Sequence, residues 1–217
     1  MVTLQLRQLS VPPGHRVLFH DVSWQEFEAI LEELGEHRVS RLAYSRGTLE
    51  IRMPLPKHEK TKVLIGDLVK ILLEELSMDC EPFGSTTFKR EDMVQGVEPD
   101  DSFYIQNYAR MIGKDRIDLT VDPPPDLAIE VDVTSKTQLD VYEALSVPEL
   151  WRYEDGKLQI NILQHGKYVE SQISQIFPDL PIFEVIPQFI EESKTIGRSL
   201  TLRKFREWIG KQTISDA

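Results

Sequence analysis

The sequence predicts a mixed α/β protein of the α+β kind, and three stretches predict it. Residues 126–133, DLAIEVDV, alternate polar and apolar side chains with the period of a strand. Residues 58–76, HEKTKVLIGDLVKILLEEL, place Val63, Leu64, Leu68, Ile71, Leu72 and Leu76 at helical spacing. Residues 41–54, RLAYSRGTLEIRMP, hold two alternating runs about Ser45, Arg46 and Gly47, which read as a β-hairpin.

Taken in order, residues 1–20 are extended, with a turn at Pro12, Pro13 and Gly14. Ser23 can cap a helix, with Glu26 completing a capping box, Phe27, Ile30 and Leu31 forming an apolar stripe, and Gly35 marking its end. Beyond the hairpin and the long helix, residues 80–105 read as strands joined by a polar loop. Residues 106–122 form a surface excursion that ends in a short strand, IDLTV. Pro123, Pro124 and Pro125 end that segment, because proline fixes φ and removes a donor.

In the strand that follows, Leu127, Ile129, Val131 and Val133 share an apolar face, and Asp126, Ala128, Glu130 and Asp132 share an acidic one. Ser135 or Thr137 can cap a short helix through Leu145. ELWRYE and KLQINILQ then read as strands, and the tail as helices around Gln188–Glu192 and Ser199–Lys211. The expected organisation is one domain over 1–217: a helix–hairpin extension at 1–56, a core at 57–170 and a helical tail at 171–217.

Hydrophobic residues at 41% and charged residues at 28% are ordinary for a soluble globular chain. The net charge of −11 repels polyanions, so a nucleic-acid ligand would need a local basic groove or a bound divalent metal. Cys80 is the only cysteine, which excludes an intramolecular disulfide and a cysteine zinc cluster and suits the reducing cytoplasm. No apolar run has the length of a signal peptide or a membrane span, so a cytoplasmic protein without a membrane partner is expected.

The order of the charged residues suggests chemistry. Glu59 opens the long helix, Asp100 and Asp101 open a strand, Glu130 and Asp132 lie mid-strand, and Lys136 follows them. Carboxylates buried in a sheet require a cation or donors. Metal-dependent phosphodiester hydrolysis needs two carboxylates converging on one hard cation, with a lysine near the attacking water. Asp101 reads as a solvated neighbour and Asp126 as a cap at the strand entrance. Phe103, Tyr104, Trp151 and Tyr153 read as core.

Glu98-Pro99-Asp100, then Pro125–Val131 (PDLAIEV), then Val141–Trp151 (VYEALSVPELW) resemble the Uma-two family of endonucleases over about residues 57–165. That family belongs to the PD-(D/E)xK superfamily. The resemblance implies a restriction-endonuclease-like core, a central mixed sheet of four or five strands flanked by helices. It also implies Asp100 and Glu130 as ligands of Mg²⁺ or Mn²⁺, Glu59 as the acid of the first helix, DNA as substrate and a homodimer.

The superfamily lysine two residues after the glutamate is Asp132 here, and the family's helix lysine is Gln138. Lys136 is therefore the candidate catalytic lysine. Asp132 reads either as a third ligand or as a charge balanced by a neighbouring base. Two other functions fit the same pattern: a nuclease-fold binding module without chemistry, and a metal-dependent phosphoesterase on small nucleotides.

Overall fold

The computed structural model describes residues 8–35, 38–131 and 136–215, and of residues 136–138 and 213–215 the backbone alone. Two sheets and six helices make up these residues. The first sheet holds β1 (Arg16–Phe19), β2 (Arg41–Ser45), β3 (Thr48–Arg52), β5 (Phe88–Arg90) and β6 (Gln95–Val97), in the order β1-β3-β2-β6-β5 and antiparallel throughout. The second holds β4 (Glu81–Pro82), β7 (Asp101–Tyr104), β8 (Leu127–Val131), β9 (Glu149–Glu154), β10 (Lys157–Gln164) and β11 (Lys167–Ser171), in the order β11-β10-β9-β8-β7-β4. Its β8–β9 ladder is parallel and the other ladders are antiparallel, which makes it the mixed sheet expected, with six strands in place of four or five. A parallel pair needs a crossover. Helix α4 (Lys136–Ala144) lies on the β8-to-β9 connection.

The local rules act as the sequence suggests. The hairpin turn uses Arg46 (φ 46°) and Gly47 (φ 88°), both left-handed, as a two-residue turn between twisted strands requires. Helix α1 (Trp24–Leu34) begins with the expected box: Glu26 N–H donates to Ser23 Oγ (3.2 Å) and Ser23 N–H to Glu26 Oε2 (2.7 Å). Helix α2 (Pro56–Glu75) starts with proline at its first position, where no N–H is missed. No helix of the described residues is long and apolar enough to cross a membrane.

Three apolar clusters hold the elements together. Leu127, Ile129 and Val131 of β8 join α2, α5 (Ile182–Ile196) and α6 (Arg198–Ser215) on one face of the second sheet. Ala128, from the opposite face of β8, packs with Tyr142 and Val141 of α4 and with Ala43 and Val97 of the first sheet. The period-two alternation thus sends one row of β8 into the helical layer and the other toward the first sheet. The third cluster, with Phe27, Tyr44 and Leu49, seals α1 onto the first sheet.

Two of the expected elements need correction. IDLTV forms no strand; α3 (Tyr108–Met111) precedes it, and Asp118 turns the chain by accepting from Thr120 N–H (2.9 Å) and Thr120 Oγ (2.6 Å). Those local bonds offer the backbone an alternative to a ladder. Helix α5 starts well before Gln188 and runs through Pro187, because Ile182, Val185, Ile186 and Ile190 bury one helical stripe. That burial offsets the roughly 3 kcal/mol that an interior proline costs.

Helix α2 approaches β7 closely at Gly66. A Cβ there would lie well inside contact distance of Asp101 Oδ2. Asp101 is buried, not the solvated neighbour expected, and burial pushes its carboxyl up against the Ser102 N–H and the Lys70 and Lys62 ammonium groups. Gly66→Ala is expected to lower stability by about 1–3 kcal/mol through overpacking, read as a drop in the urea midpoint.

Candidate active site

The tripeptide Glu98-Pro99-Asp100 carries the chain from the first sheet to the second, between β6 and β7. Glu98 stays with the first sheet. Its N–H donates to Leu42 O (3.0 Å), and its carboxylate accepts from Leu42 N–H (3.0 Å), Thr87 Oγ (2.7 Å) and the Arg38 guanidinium. Asp100 belongs to the second sheet. Its N–H donates to Ile129 O (3.0 Å), and its Oδ2 accepts from Val131 N–H (2.8 Å). The carboxylate is thereby fixed beside β8, where Glu130 projects from the acidic row toward α4.

The two acids meet on an arginine. Arg52, the last residue of β3, uses Nη2 to donate both to Asp100 Oδ1 (3.1 Å) and to Glu130 Oε2 (2.7 Å). Tyr142 of α4 donates its hydroxyl to Glu130 Oε1 (2.5 Å). Every carboxylate oxygen of the pair thus has a donor. Asp100, Glu130 and Tyr142 are buried, and the Arg52 side chain is only 12% exposed. Its buried Nε has no partner among the described residues.

Burial raises the Glu130 carboxyl to about 8, against the Arg52 charge that favours its ionised form, while the Asp100 carboxylate adds to the rise. For Arg52, burial works against the charge, but Glu130 and Asp100 more than offset it and hold the guanidinium firmly protonated. Burial and then the Glu130 charge push Tyr142 well up, so its hydroxyl remains a donor.

The sign of the pH dependence follows. Unfolding returns Glu130 to its ordinary value of 4.5, so between 4.5 and about 8 the folded chain holds more proton than the unfolded one. Glu130's contribution is complete below the lower value and is lost as pH rises toward the upper one. In metal-free denaturant titrations the wild type is expected to lose stability relative to Glu130→Gln from pH 5 to 8, by at most about 1.4 kcal/mol per pH unit.

Arg52 stands in a row. In the register of the first sheet it faces Arg16 of β1 on one side and Arg41 of β2 on the other. Like charges directly opposite repel, and acids answer each of them: Glu50 lies 3.9 Å from Arg16, and Glu59 lies 4.0 Å from Arg41. Glu59 is also 3.7 Å from Lys62, and its side chain is 43% exposed. It therefore sits beside the cross-strand neighbour of Arg52, paired with bases and not built into the buried pair.

Of the residues expected from sequence, Asp100 and Glu130 come together, and Glu59 lies at the margin. Asp132 lies outside the described residues, and so does the side chain of Lys136, whose backbone opens α4. Asp126 accepts from Ile105 N–H (2.7 Å), Asn107 N–H (3.2 Å) and Asn107 Nδ2 (3.0 Å), so it fixes the chain leaving β7 and does not merely cap β8. Phe103, Tyr104, Trp151 and Tyr153 are core, as expected. Arg52 was not foreseen. The signal for it was the alternation Leu49-Glu50-Ile51-Arg52, which puts an acid and a base on one row of β3.

The donor set suits a hard divalent cation in kind. One oxygen from each of two carboxylates turns to a common point, and Mg²⁺ is commonly held by one or two carboxylates with water and substrate oxygens completing its shell. That common point is where Arg52 Nη2 lies, so metal and guanidinium need the same two oxygens. Among the described residues no group of three or more His, Cys, Asp or Glu converges as a metal cage.

Comparison with known proteins bears on most of the chain. A family model, Uma2, described as "Putative restriction endonuclease", matches residues 24–196. A crystal structure of "a putative nuclease belonging to DUF820" from Anabaena variabilis ATCC 29413 is similar at 16% identity, covering 70% of this chain and 87% of that one, with a TM-score of 0.49. No curated protein matches. The family match runs from α1 to the end of α5 and takes in β3, β7, β8 and α4, so it spans every residue of the buried cluster. The chain belongs to the Uma2 family.

Proposed function

We propose that the protein is a divalent-metal-dependent endonuclease acting on DNA. The observation that carries this reading is the convergence of Asp100 Oδ1 and Glu130 Oε2 on one cation position. The family description supports DNA phosphodiesters as the substrate. Asp100 and Glu130 would hold Mg²⁺ or Mn²⁺, and Asp132, two residues after Glu130 in the sequence, would add a third carboxylate. When bound, the ion supplies a Lewis acid and a water of lowered pKa.

The chain's own groups do the remaining work. Val131 N–H and the Tyr142 hydroxyl orient the two carboxylates from behind, each occupying the oxygen that faces away from the cation position. Lys136 positions the attacking water. Arg16 and Arg41 give the acidic protein a local basic row beside the pair, which a polyanion requires at a net charge of −11. Glu59 holds Arg41 in that row. A homodimer would set two such sites across one duplex.

The test is incubation of purified protein with supercoiled and linear DNA at millimolar Mg²⁺ or Mn²⁺, with a chelator control. Metal-dependent cleavage is expected. Cleavage that survives chelation, or that is the same in Asp100→Ala, would sink the reading. One observation favours a second reading, a nuclease fold kept as a binding module: Arg52 already neutralises the pair. DNA binding without cleavage at any metal concentration would select it.

A further inference from the structure

We propose that Arg52 is an exchangeable cation, so that a divalent ion binds Asp100 and Glu130 only by displacing its guanidinium, which is thereby released as a phosphate ligand. The inference rests on the reading of the pair as a metal site. It goes further by assigning a role to an arginine from the other sheet.

Arg52 does not flank the cation position; it fills it. A single nitrogen, Nη2, lies 3.1 Å from Asp100 Oδ1 and 2.7 Å from Glu130 Oε2. Mg²⁺ binds oxygen at about 2.0–2.1 Å. An ion bonded to both oxygens on the side where they converge would stand against Nη2, cation against cation. The other two oxygens are already engaged, Asp100 Oδ2 by Val131 N–H and Glu130 Oε1 by Tyr142, so the pair Oδ1 and Oε2 is the one turned to a common cation. Exchange is the arrangement that remains.

The neighbours of Arg52 determine what a released guanidinium can do. Arg41 is its direct cross-strand partner, and the Nε atoms of both arginines are buried without a hydrogen-bond partner among the described residues. A guanidinium with an unused donor, next to a second one, matches the forked geometry that a phosphate accepts. Arg52 thus neutralises the acids while the ion is absent and turns to the phosphodiester once the ion is bound. Metal and phosphodiester should then bind with positive cooperativity, and by linkage each must strengthen the other equally.

Calorimetric titration with Mn²⁺ tests this on the full chain, comparing wild type with Arg52→Gln. The variant is expected to bind Mn²⁺ at least ten-fold more tightly, since the ion no longer competes. Equal affinity would overturn the exchange while leaving the metal reading in place. Weaker binding by the variant would also overturn it, showing that Arg52 supports the ion. No Mn²⁺ binding by either protein at millimolar concentration would end the metal reading and the inference with it.

Removing Arg52 can itself prevent folding, so wild-type protein with ¹⁵N-labelled arginine provides a second readout. The Arg52 side-chain resonances, assigned by their loss in Arg52→Lys, are expected to shift and gain rotational freedom as Mg²⁺ saturates. Addition of a thymidine dinucleotide, which carries one phosphodiester, should restrict them again and lower the Mg²⁺ concentration needed for saturation. Resonances unchanged at saturating Mg²⁺ would overturn the exchange.

Discussion

Glu130→Ala is expected to abolish metal-dependent DNA cleavage and to lower stability by about 2–6 kcal/mol, at 1–3 kcal/mol for each of two buried donors left unpaired. Two groups lose their acceptor in that variant: the Tyr142 hydroxyl, whose partner is Glu130 Oε1, and one of the two bonds of Arg52 Nη2. Both losses occur where water does not reach, so each leaves a donor without compensation. Glu130→Gln separates the two effects. It keeps the shape and an acceptor for Tyr142 while removing the charge, so it should recover much of the stability and none of the cleavage. Denaturant unfolding and plasmid cleavage on the same preparations read both. Cleavage retained in the glutamine variant would remove Glu130 from the chemistry.

The second large effect concerns another acid of the same sheet. Glu149, the first residue of β9, is as buried as Glu130, and burial pushes its carboxyl up as well. Its donors are neutral: Trp151 Nε1 (2.5 Å), Ser174 Oγ (2.6 Å) and Gln175 N–H (2.8 Å). They tie the segment after β11 to the sheet and leave no cation position. Glu149→Ala is expected to cost about 3 kcal/mol or more, at 1–3 kcal/mol for each buried donor left unpaired. Its cleavage rate per folded molecule should not change. A rate loss in Glu149→Ala that exceeds the folded fraction would mean that burial alone had misassigned it.

Glu149 and Glu130 together show which parts of the molecule could be seen in the sequence. Strand β8 was legible because its alternation is strict, and the structure sends Leu127, Ile129 and Val131 to one core and Ala128 to another. The pairing of Asp100 with Glu130 was legible from their order and from the family resemblance. Arg52 was not, because its strand belongs to a different sheet and a base before Met53-Pro54 looks like the solvated end of a hairpin. Burial of Asp101 was hidden for a similar reason: the space that encloses it is made by the missing side chain of Gly66, on a helix distant in sequence. Helix α5 extends further than its sequence suggests, because the local penalty of Pro187 is visible in sequence and the tertiary burial that overrides it is not.

The origin of Arg52 in the first sheet also constrains when the buried cluster can assemble. Arg52 is 48 residues from Asp100 and 78 from Glu130, and Tyr142 comes later still. Closing loops of that length is entropically slow, and little secures the contact until both sheets exist. During synthesis, a chain that has passed Glu130 but not yet reached Tyr142 carries Arg52 and Asp100 but lacks the tyrosine that orients Glu130. A ribosome-bound fragment therefore has no complete cluster. The ordering of residues along the polypeptide acts as a timer that keeps the buried cluster unassembled until most of its fold has been made.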